Sequence, residues 1–154
     1  MTPAEASQRI RRFRSGYRPA VLAAARRAGR QAQRLALTKY MQPKDPDPRI
    51  DPPNPPPGPL ARRRGNLART VRLMPSKFAG RKFIIGGLEM GGTPAVRYGR
   101  IHELGGMAGR GLRSRIPARP VLGPAIREVD VPREIRMALA RFASQTLGPL
   151  WSNG

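Results

Sequence analysis

The strongest constraint on the fold is a proline-rich segment, Pro43–Pro59 (PKDPDPRIDPPNPPPGP), in which nine of 17 residues are proline. Proline lacks an amide hydrogen and clashes with the preceding helical turn, so neither a helix nor a central strand can form there. We expect an extended or polyproline II surface insertion, with a rigid spacer, a flexible tether and a ligand for a proline-binding groove as alternatives. The insertion divides the chain into two parts of different character.

Before the insertion, apolar and small residues recur every three or four positions, which is the period of one helical face. This stripe predicts helix to about residue 40. Gly16 and Pro19 interrupt it, so we predict a short helix to about Ser15 and a longer one from about Arg18. The stripe consists of Ile10, Phe13, Tyr17, Val21, Ala24, Ala28, Ala32 and Leu35.

After the insertion, the sequence favours strands. Lys82–Leu88 (KFIIGGL) is rich in β-forming residues and predicts a buried strand. Asn66–Leu73 alternates in part, and Ala95–Tyr98 is a further, shorter candidate. We predict that the glycine pairs Gly86-Gly87 and Gly91-Gly92 are turn or bulge positions.

Three segments near the C-terminal end differ in regularity. Met107–Arg115 is rich in glycine and arginine, and we expect a mobile loop. Ile116–Ile126 has too many prolines for regular structure, although its apolar residues should pack on the core. Pro132–Leu147 predicts an amphipathic helix that begins with proline and ends before Gly148.

Together these elements predict a single α+β domain, with N-terminal helices, a small antiparallel sheet carrying a long proline-rich insertion, and a C-terminal helix. Tyr98, Ile101 and Leu104 recur every three residues and predict a short helical turn within it. The predicted parts are residues 1–42, which are helical, 43–59, the extended insertion, 60–131, the sheet and loops, and 132–147, the final helix.

Charge dominates the composition. The chain has 30 Lys+Arg against nine Asp+Glu, a formal charge of +21 and a pI near 12.0. Such charges repel one another in a compact chain, so an anionic or acidic neighbour is expected. Clustered arginines are typical of phosphate contact, and the lack of interleaved aromatic residues argues against stacking on single strands. The residues predicted to contact DNA are Arg11, Arg12, Arg14, Arg26, Arg27, Arg30, Arg62, Arg63, Arg64, Arg110, Arg113 and Arg115.

Signals of catalysis are weak. The chain has no cysteine and one histidine, His102, beside Glu103. It lacks a G-x-S-x-G nucleophile turn and a phosphate-binding loop, and it has too few ligands for a zinc centre. We therefore expect a non-enzymatic protein without metal or cofactor, in which His102 is a hydrogen-bonded structural residue. No apolar run reaches the length of a membrane span, although the basic, amphipathic N-terminal part leaves a membrane-active role as a weaker alternative.

Three short motifs carry a resemblance to a known family. Gly65–Val71 (GNLARTV) resembles the G-x-L-x-x-S/T entry strand of phage tail-completion proteins, and Tyr98–Gly106 (YGRIHELGG) resembles their Y-A-x-I-H-x-F-G segment. Ile116–Ile126 (IPARPVLGPAI) is similar to their I-P-A-R-P-F-L-x-P-A segment, which leads into a C-terminal helix. The family is the Mu-like virion morphogenesis and lambdoid tail-completion group. Val121 and Leu104 stand where aromatic residues are commoner, and the proline-rich insertion is unusual.

The resemblance implies a structural protein of the bacteriophage virion, placed in the neck at the head–tail junction. It implies a homo-oligomeric ring, expected to be a hexamer, through which double-stranded DNA passes beside portal, adaptor and tail-tube proteins. The protein would occupy the host cytoplasm before assembly, and the family supplies no catalytic residue or cofactor. A tail terminator or a head–tail connector in the same assembly remains open. The predicted subunit-interface residues are Tyr98, Ile101, Leu104, Ile116, Arg119 and Val121.

Two alternatives stay open at this point. The IPARP segment can instead be a rigid connector that docks Ile116 and Val121 on the core of its own chain. A cellular protein that binds nucleic acid without sequence preference, of ribosomal or nucleoid type, explains the charge equally well. That second alternative leaves the YGRIHELGG and IPARPVLGPAI motifs unexplained.

Overall fold

A computed structural model describes residues 2–43, 60–62, 66–80, 83–91 and 98–148. It confirms the α+β class. The helices are α1 (Pro3–Leu35), which continues as a π-helical turn (Ala36–Tyr40), α2 (Tyr98–Leu104), α3 (Leu122–Val129) and α4 (Val131–Leu147). The strands are β1 (Met41–Pro43), β2 (Leu60–Arg62), β3 (Arg72–Ala79), β4 (Phe83–Glu89), β5 (Gly106–Ala108) and β6 (Ser114–Ile116).

Helix α1 is continuous, so the predicted break between Ser15 and Arg18 is wrong. Thr2 and Glu5 form a capping box at its start, and Pro19 lies in its interior without an amide hydrogen to donate. Packing on α4 explains the continuity, because it holds α1 from before Pro19 onward. Phe13 stacks on Phe142 of α4 with ring centroids 5.8 Å apart, and Val21, two residues after the proline, is buried.

Two glycines of α1 are points of close approach rather than helix ends. A Cβ atom on Gly16 would overlap the ring of Phe142, and one on Gly29 would overlap a methyl group of Leu73 in β3. Glycine lowers helix propensity by roughly 1 kcal/mol relative to alanine. At these positions it allows α4 and β3 to pack directly against the helix backbone.

The core is built from small side chains around the buried stripe of α1. Val21, Ala24, Ala28 and Ala32 are buried as the helical period predicts, whereas Ile10 is 46% exposed near the N-terminal end. Because the side chains are small, the elements that pack on α1 approach it closely. The main core cluster is Ala28, Ala32, Ala36, Met41, Val71, Leu88, Val121, Ala125 and Val129.

Strands β3 and β4 form an antiparallel ribbon that packs against α1. The predicted strand Lys82–Leu88 is confirmed as β4 over Phe83–Glu89. Its predicted burial is wrong, since Leu88 is buried but Ile85 is 50% exposed. The register of the β3–β4 pair shifts between Met74 and Lys77, where two residues of β3 oppose Gly86 of β4. This glycine therefore lies at a bulge, as expected. The predicted strand over Asn66–Leu73 is wrong for all but its last two residues, since a 3-10 turn occupies Ala68–Thr70 and the strand begins at Arg72.

The described strands form three separate two-stranded ribbons instead of the single small antiparallel sheet that was predicted. Strands β1 and β2 pair in parallel on either side of residues 44–59, so most of the predicted proline-rich insertion lies outside the described residues. Strands β5 and β6 pair antiparallel, with Gly106 opposite Ile116. Met107–Arg115, expected to be a mobile loop, instead lies in a short hairpin closed by a 3-10 turn, Arg110–Leu112.

The C-terminal region follows the sequence pattern with one correction. Pro117–Pro120 is irregular as predicted, but α3 begins at Leu122 and accommodates Pro124 in its first turn. Asp130 then accepts a hydrogen bond from the Arg133 amide and caps α4. The predicted helices at 98–104 and 132–147 are confirmed, whereas the strand proposed at Ala95–Tyr98 falls almost wholly outside the described residues.

Candidate nucleic-acid interface

Nine of the arginines predicted to face DNA are exposed. Six lie along α1, and three lie in the β5–β6 hairpin. Arg62 belongs to β2 with its side chain outside the described set, and Arg63 and Arg64 are not described at all. The exposed nine are Arg11, Arg12, Arg14, Arg26, Arg27, Arg30, Arg110, Arg113 and Arg115.

None of these nine guanidinium groups is paired with a carboxylate within the described ranges. The ion pair formed there joins Lys39 to Glu128, with an N–O distance of 2.7 Å. Arg26 and Arg30 are one helical step of four residues apart, so their side chains project on neighbouring positions of the same face. Like charges at that spacing repel each other, and a polyanion would relieve the repulsion.

Two other arginines have roles inside the molecule. Arg9 donates a hydrogen bond to the Leu147 carbonyl at the C-terminal end of α4 (3.3 Å), where a cation also favours the helix dipole. The Arg18 guanidinium lies 4.9 Å from the centroid of the Phe78 ring, a cation–π contact. The structure thus separates arginines that hold the fold from those that face solvent.

The arginines of residues 110–115 form a second group. They lie on the β5–β6 hairpin, which packs on α2, and not on α1.

A carboxylate joins the two most specific motifs. Glu103 accepts hydrogen bonds from the backbone amides of Val121 (2.7 Å), Leu122 (3.1 Å) and Gly123 (2.8 Å), at the start of α3. The neighbouring His102 carbonyl accepts one from the Arg119 amide at 2.6 Å. An anion at a helix N-terminus satisfies amides that have no intrahelical partner. The YGRIHELGG and IPARPVLGPAI segments are therefore one structural unit, which we call the motif junction.

Sequence reasoning singled out Glu103 only as a neighbour of His102. The contact bridges 18 to 20 residues of chain. A lone carboxylate about 20 residues before a helix start carries no periodic signal, so only the folded arrangement reveals the junction.

The structure sorts the predicted subunit-interface residues. Val121 is completely buried in the core of its own chain, so its assignment to a subunit interface is wrong, and the alternative of docking on the core is correct for this residue. Ile101, Ile116 and Arg119 are partly buried, and the Tyr98 side chain is outside the described set. Leu104, which is 67% exposed, stays available for a partner.

His102 is enclosed by the motif junction. Its Nδ1 atom is buried and has no hydrogen-bond partner among the residues described, so the expected hydrogen bond at this atom is not formed. Burial lowers the pKa of His102 below its ordinary value, and the positive charge of Arg119 lowers it further. The imidazole is accordingly neutral at pH 7.

A second polar contact ties the end of α1 to α3. The Glu128 carboxylate accepts hydrogen bonds from Lys39 Nζ (2.7 Å) and from the Tyr40 hydroxyl (2.8 Å). These bonds lower the pKa of Glu128 and raise the pKa values of Lys39 and Tyr40. All three groups are solvent-accessible, so the contact orients the π-helical turn more than it stabilises the fold.

Comparison with known proteins gives no relative, since no family model, curated protein or solved structure matches the chain. Over the described ranges, no three histidine, aspartate or glutamate side chains come together as a group able to hold a metal ion. No helix described is long and apolar enough to cross a membrane.

The motif junction predicts a specific loss of stability. In Glu103→Gln, the amide NH₂ group replaces one of two acceptor oxygens and faces at least one backbone N–H donor. We expect the free energy of unfolding to fall by about 1–3 kcal/mol, measured by urea denaturation. Glu89→Gln, at an exposed position without a hydrogen-bond partner in the described structure, should change it by less than about 0.5 kcal/mol. Equal effects of the two substitutions would contradict the assignment.

His102 predicts a pH dependence of stability. Because its folded-state pKa lies below the unfolded value of 6.5, the unfolded chain binds the proton first as the pH falls. This contribution to stability is complete above about pH 6.5 and is lost as the pH falls toward the folded-state pKa. The melting temperature of the wild type should therefore drop more steeply than that of His102→Gln between about pH 7.5 and 5.5. Parallel curves for the two proteins would refute the prediction.

Proposed function

We propose that this chain is a structural, non-enzymatic subunit of a bacteriophage virion, acting without a cofactor at the head–tail junction. Copies form a ring in the neck or tail end, and exposed arginines contact the DNA that passes through it without reading its sequence. The observation that carries the proposal is the set of nine exposed arginines without an acidic partner in the described structure. A duplex supplies one phosphate charge per about 1.7 Å of axis, which can offset such a surplus.

The placement of the arginines supports non-specific contact. Helix α1 rises about 1.5 Å per residue, so Arg26 and Arg30 follow one another at about 6 Å along an exposed face. Long guanidinium side chains on such a face suit phosphate oxygens, which are the same at every base pair. A channel must also release its cargo, and many weak contacts allow movement where a few strong ones would not.

The two sequence motifs, rather than the arginines, favour the head–tail assignment over a cellular nucleic-acid-binding protein. Exposed arginines fit both roles equally well. The resemblance to tail-completion proteins predicts YGRIHELGG and IPARPVLGPAI in one chain, whereas the cellular alternative does not. Within the chain, Glu103 joins the two segments as one hydrogen-bonded unit, an arrangement that fits either role.

Removal of three α1 arginines tests the DNA contact. We expect the triple variant Arg26→Gln, Arg27→Gln, Arg30→Gln to bind random-sequence duplex more weakly, because three phosphate contacts are lost. The slope of log K against log salt should decrease in magnitude by about 2 to 3, measured by fluorescence anisotropy at several salt concentrations. Sequence-scrambled duplexes of equal length should give the same result.

The matched control removes the same charge elsewhere. Arg133→Gln, Arg136→Gln, Arg141→Gln alters three exposed arginines of α4. If the α1 face carries the contact, this variant should keep most of the wild-type slope. Equal losses in the two triple variants would show that net charge alone governs binding, and a flat wild-type salt dependence would refute DNA contact altogether.

The proposal also predicts where the protein lies in the phage particle. A chain carrying an epitope tag, produced during phage assembly, should co-sediment with complete virions. Antibody–gold labelling should then mark one place on each particle, between head and tail. Recovery with ribosomes or the chromosome, and none with virions, would favour the cellular alternative.

A further inference from the structure

An open apolar cavity of about 190 Å³ lies between α1, the β3–β4 ribbon, α3 and α4. Its walls include Ala25 and Gly29 of α1, Leu73 and Ile84 of the ribbon, and Ile135 of α4. An apolar cavity of roughly 150 Å³ accommodates a benzene-sized group. This cavity therefore has room for one large apolar side chain, and it is too small for a long acyl chain.

One polar side chain is buried in the cavity wall without a partner. Ser76 of β3 is 6% exposed and lines the cavity beside Gly86 of β4. Its hydroxyl forms no hydrogen bond to any residue that the structure describes. An unsatisfied buried hydroxyl costs free energy, which a polar group of an inserted segment would recover. Apolar walls with a few polar groups are typical of sites that hold a ligand.

The face of α1 that lines the cavity continues toward the N-terminus as a row of arginines. An α-helix turns by about 100° per residue, so Arg11, Arg14 and Arg18 lie within about 40° of Ala25 around the helix axis. All three are exposed. We call these three residues the arginine row. It differs from the arginines at positions 26, 27 and 30, which lie on other sides of the same helix.

A contact places Arg18 beside the cavity. Its guanidinium lies 4.9 Å from the centroid of the Phe78 ring, and Phe78 is paired with the wall residue Ile84 across the ribbon. Directly opposed side chains share a face of the sheet, with Cβ atoms about 5 Å apart. A guanidinium stacked on a ring still has N–H donors in its own plane for a carboxylate.

Acidic side chains of the chain itself do not balance the arginine row. Glu89 follows the wall residue Leu88 but lies on the opposite face of β4, because successive side chains of a strand alternate. Asp130 caps α4, which leaves Glu134 as the remaining acid next to a wall residue in the described sequence. None of the three arginines of the row forms an ion pair within the described ranges. The cavity and the row together complement a segment that is both apolar and acidic.

We propose that the cavity and the arginine row bind an acidic segment of another protein, with one large apolar side chain in the cavity and carboxylates along the row. Arg18 precedes Ala25 by seven residues, or about 10 Å along α1, which an extended peptide spans in about three residues. Arg14 lies about 6 Å further on, or about two residues more. Carboxylates three and five residues from the apolar side chain therefore match the row.

In the proposed ring, a segment of this kind belongs to an adjacent protein of the neck, and in that respect the inference rests on the proposed function. The binding site itself depends on the cavity and the arginine row alone. Apolar anchors in a pocket account for most of the affinity in protein interfaces, while exposed charge pairs contribute less and are screened by salt. The two kinds of contact can therefore be separated by experiment.

A matched set of peptides tests the proposal. The probe is the fluorescein-labelled, amidated peptide Gly-Leu-Gly-Gly-Asp-Gly-Asp-Gly, and its two controls replace the leucine by glycine or both aspartates by asparagine. Fluorescence anisotropy at low salt should show at least tenfold weaker binding of the glycine control, because the buried leucine is lost. The asparagine control should bind about threefold more weakly or worse.

Filling the cavity should abolish the preference for leucine. Ala25→Leu adds carbon from α1, and Ser76→Val adds carbon from β3 and removes the unpaired hydroxyl. Both variants should melt at the same or a higher temperature than the wild type. Each should bind the leucine peptide and its glycine control equally well, and the Ser76→Val result decides if Ala25→Leu fails to fold.

Two double variants test the arginine row. Arg14→Gln, Arg18→Gln should weaken binding of the leucine peptide about threefold or more at low salt. The charge-matched control Arg12→Gln, Arg27→Gln removes two exposed arginines from other sides of α1, and its affinity should stay within about twofold of the wild type. Equal losses in the two double variants would overturn the assignment to the row.

The remaining outcomes are equally distinct. Absence of leucine-dependent binding to the wild type, or a leucine preference that survives both cavity-filling substitutions, would overturn the proposal. Equal affinity for the aspartate and asparagine peptides would overturn the acidic character of the partner. Ala25→Leu and Ser76→Val retain every arginine, so their salt slope on duplex DNA should equal that of the wild type. Leucine-dependent peptide binding with a flat salt dependence on DNA would overturn the DNA contact and support this site.

Discussion

Scarcity of carboxylates is the constraint on which the structure depends. Nine acidic residues accompany 30 basic ones, and the described acids are used mainly to organise the backbone. Glu5 and Asp130 cap helices, Glu103 binds the amides at the start of α3, and Glu128 holds the end of α1. Carboxylates committed in this way cannot neutralise the surface arginines. The positive surface is therefore a consequence of how the fold is held together, as well as of the composition.

Close packing on the small-residue face of α1 offsets the charge repulsion that the shortage of carboxylates leaves. Ala28, Ala32 and Ala36 let neighbouring elements approach the helix closely, and Gly16 admits the ring of Phe142. Close packing gives many weak dispersion contacts without large aromatic side chains, which make up only 5% of the residues. A chain with strong internal charge repulsion still forms a compact unit, because its backbone elements are in direct contact.

Helices and strands could be predicted from the sequence where a local pattern of apolar or β-forming residues was sufficient to define them. Helix α4 has an unbroken apolar stripe with Pro132 in its first turn, and β4 has a dense run of β-forming residues. The break predicted in α1 was wrong because Gly16 and Pro19 were judged by intrinsic propensity. Packing on α4, more than 120 residues later in the chain, outweighs that propensity.

The site was harder to predict than the fold. Among the arginines predicted to contact DNA, every one whose side chain is described is exposed, which follows from their charge alone and is also what a solvated helix face would show. The role of Glu103 and the burial of Val121 depend on contacts between distant segments, which no periodicity reports. The hairpin over residues 106–116 was missed for a related reason, because its strands are three residues long and its turn depends on positive φ values at Gly109 and Gly111.

Under the proposed function, self-association and DNA binding would act on the same charge. Bringing two copies together doubles a formal charge of +21 within one assembly, and this repulsion opposes any contact between copies. A duplex beside the α1 arginines would reduce the repulsion and so strengthen association. By thermodynamic reciprocity, association would strengthen duplex binding by the same factor. We therefore expect association to be stronger with DNA present than without it, with no conformational switch in the chain required.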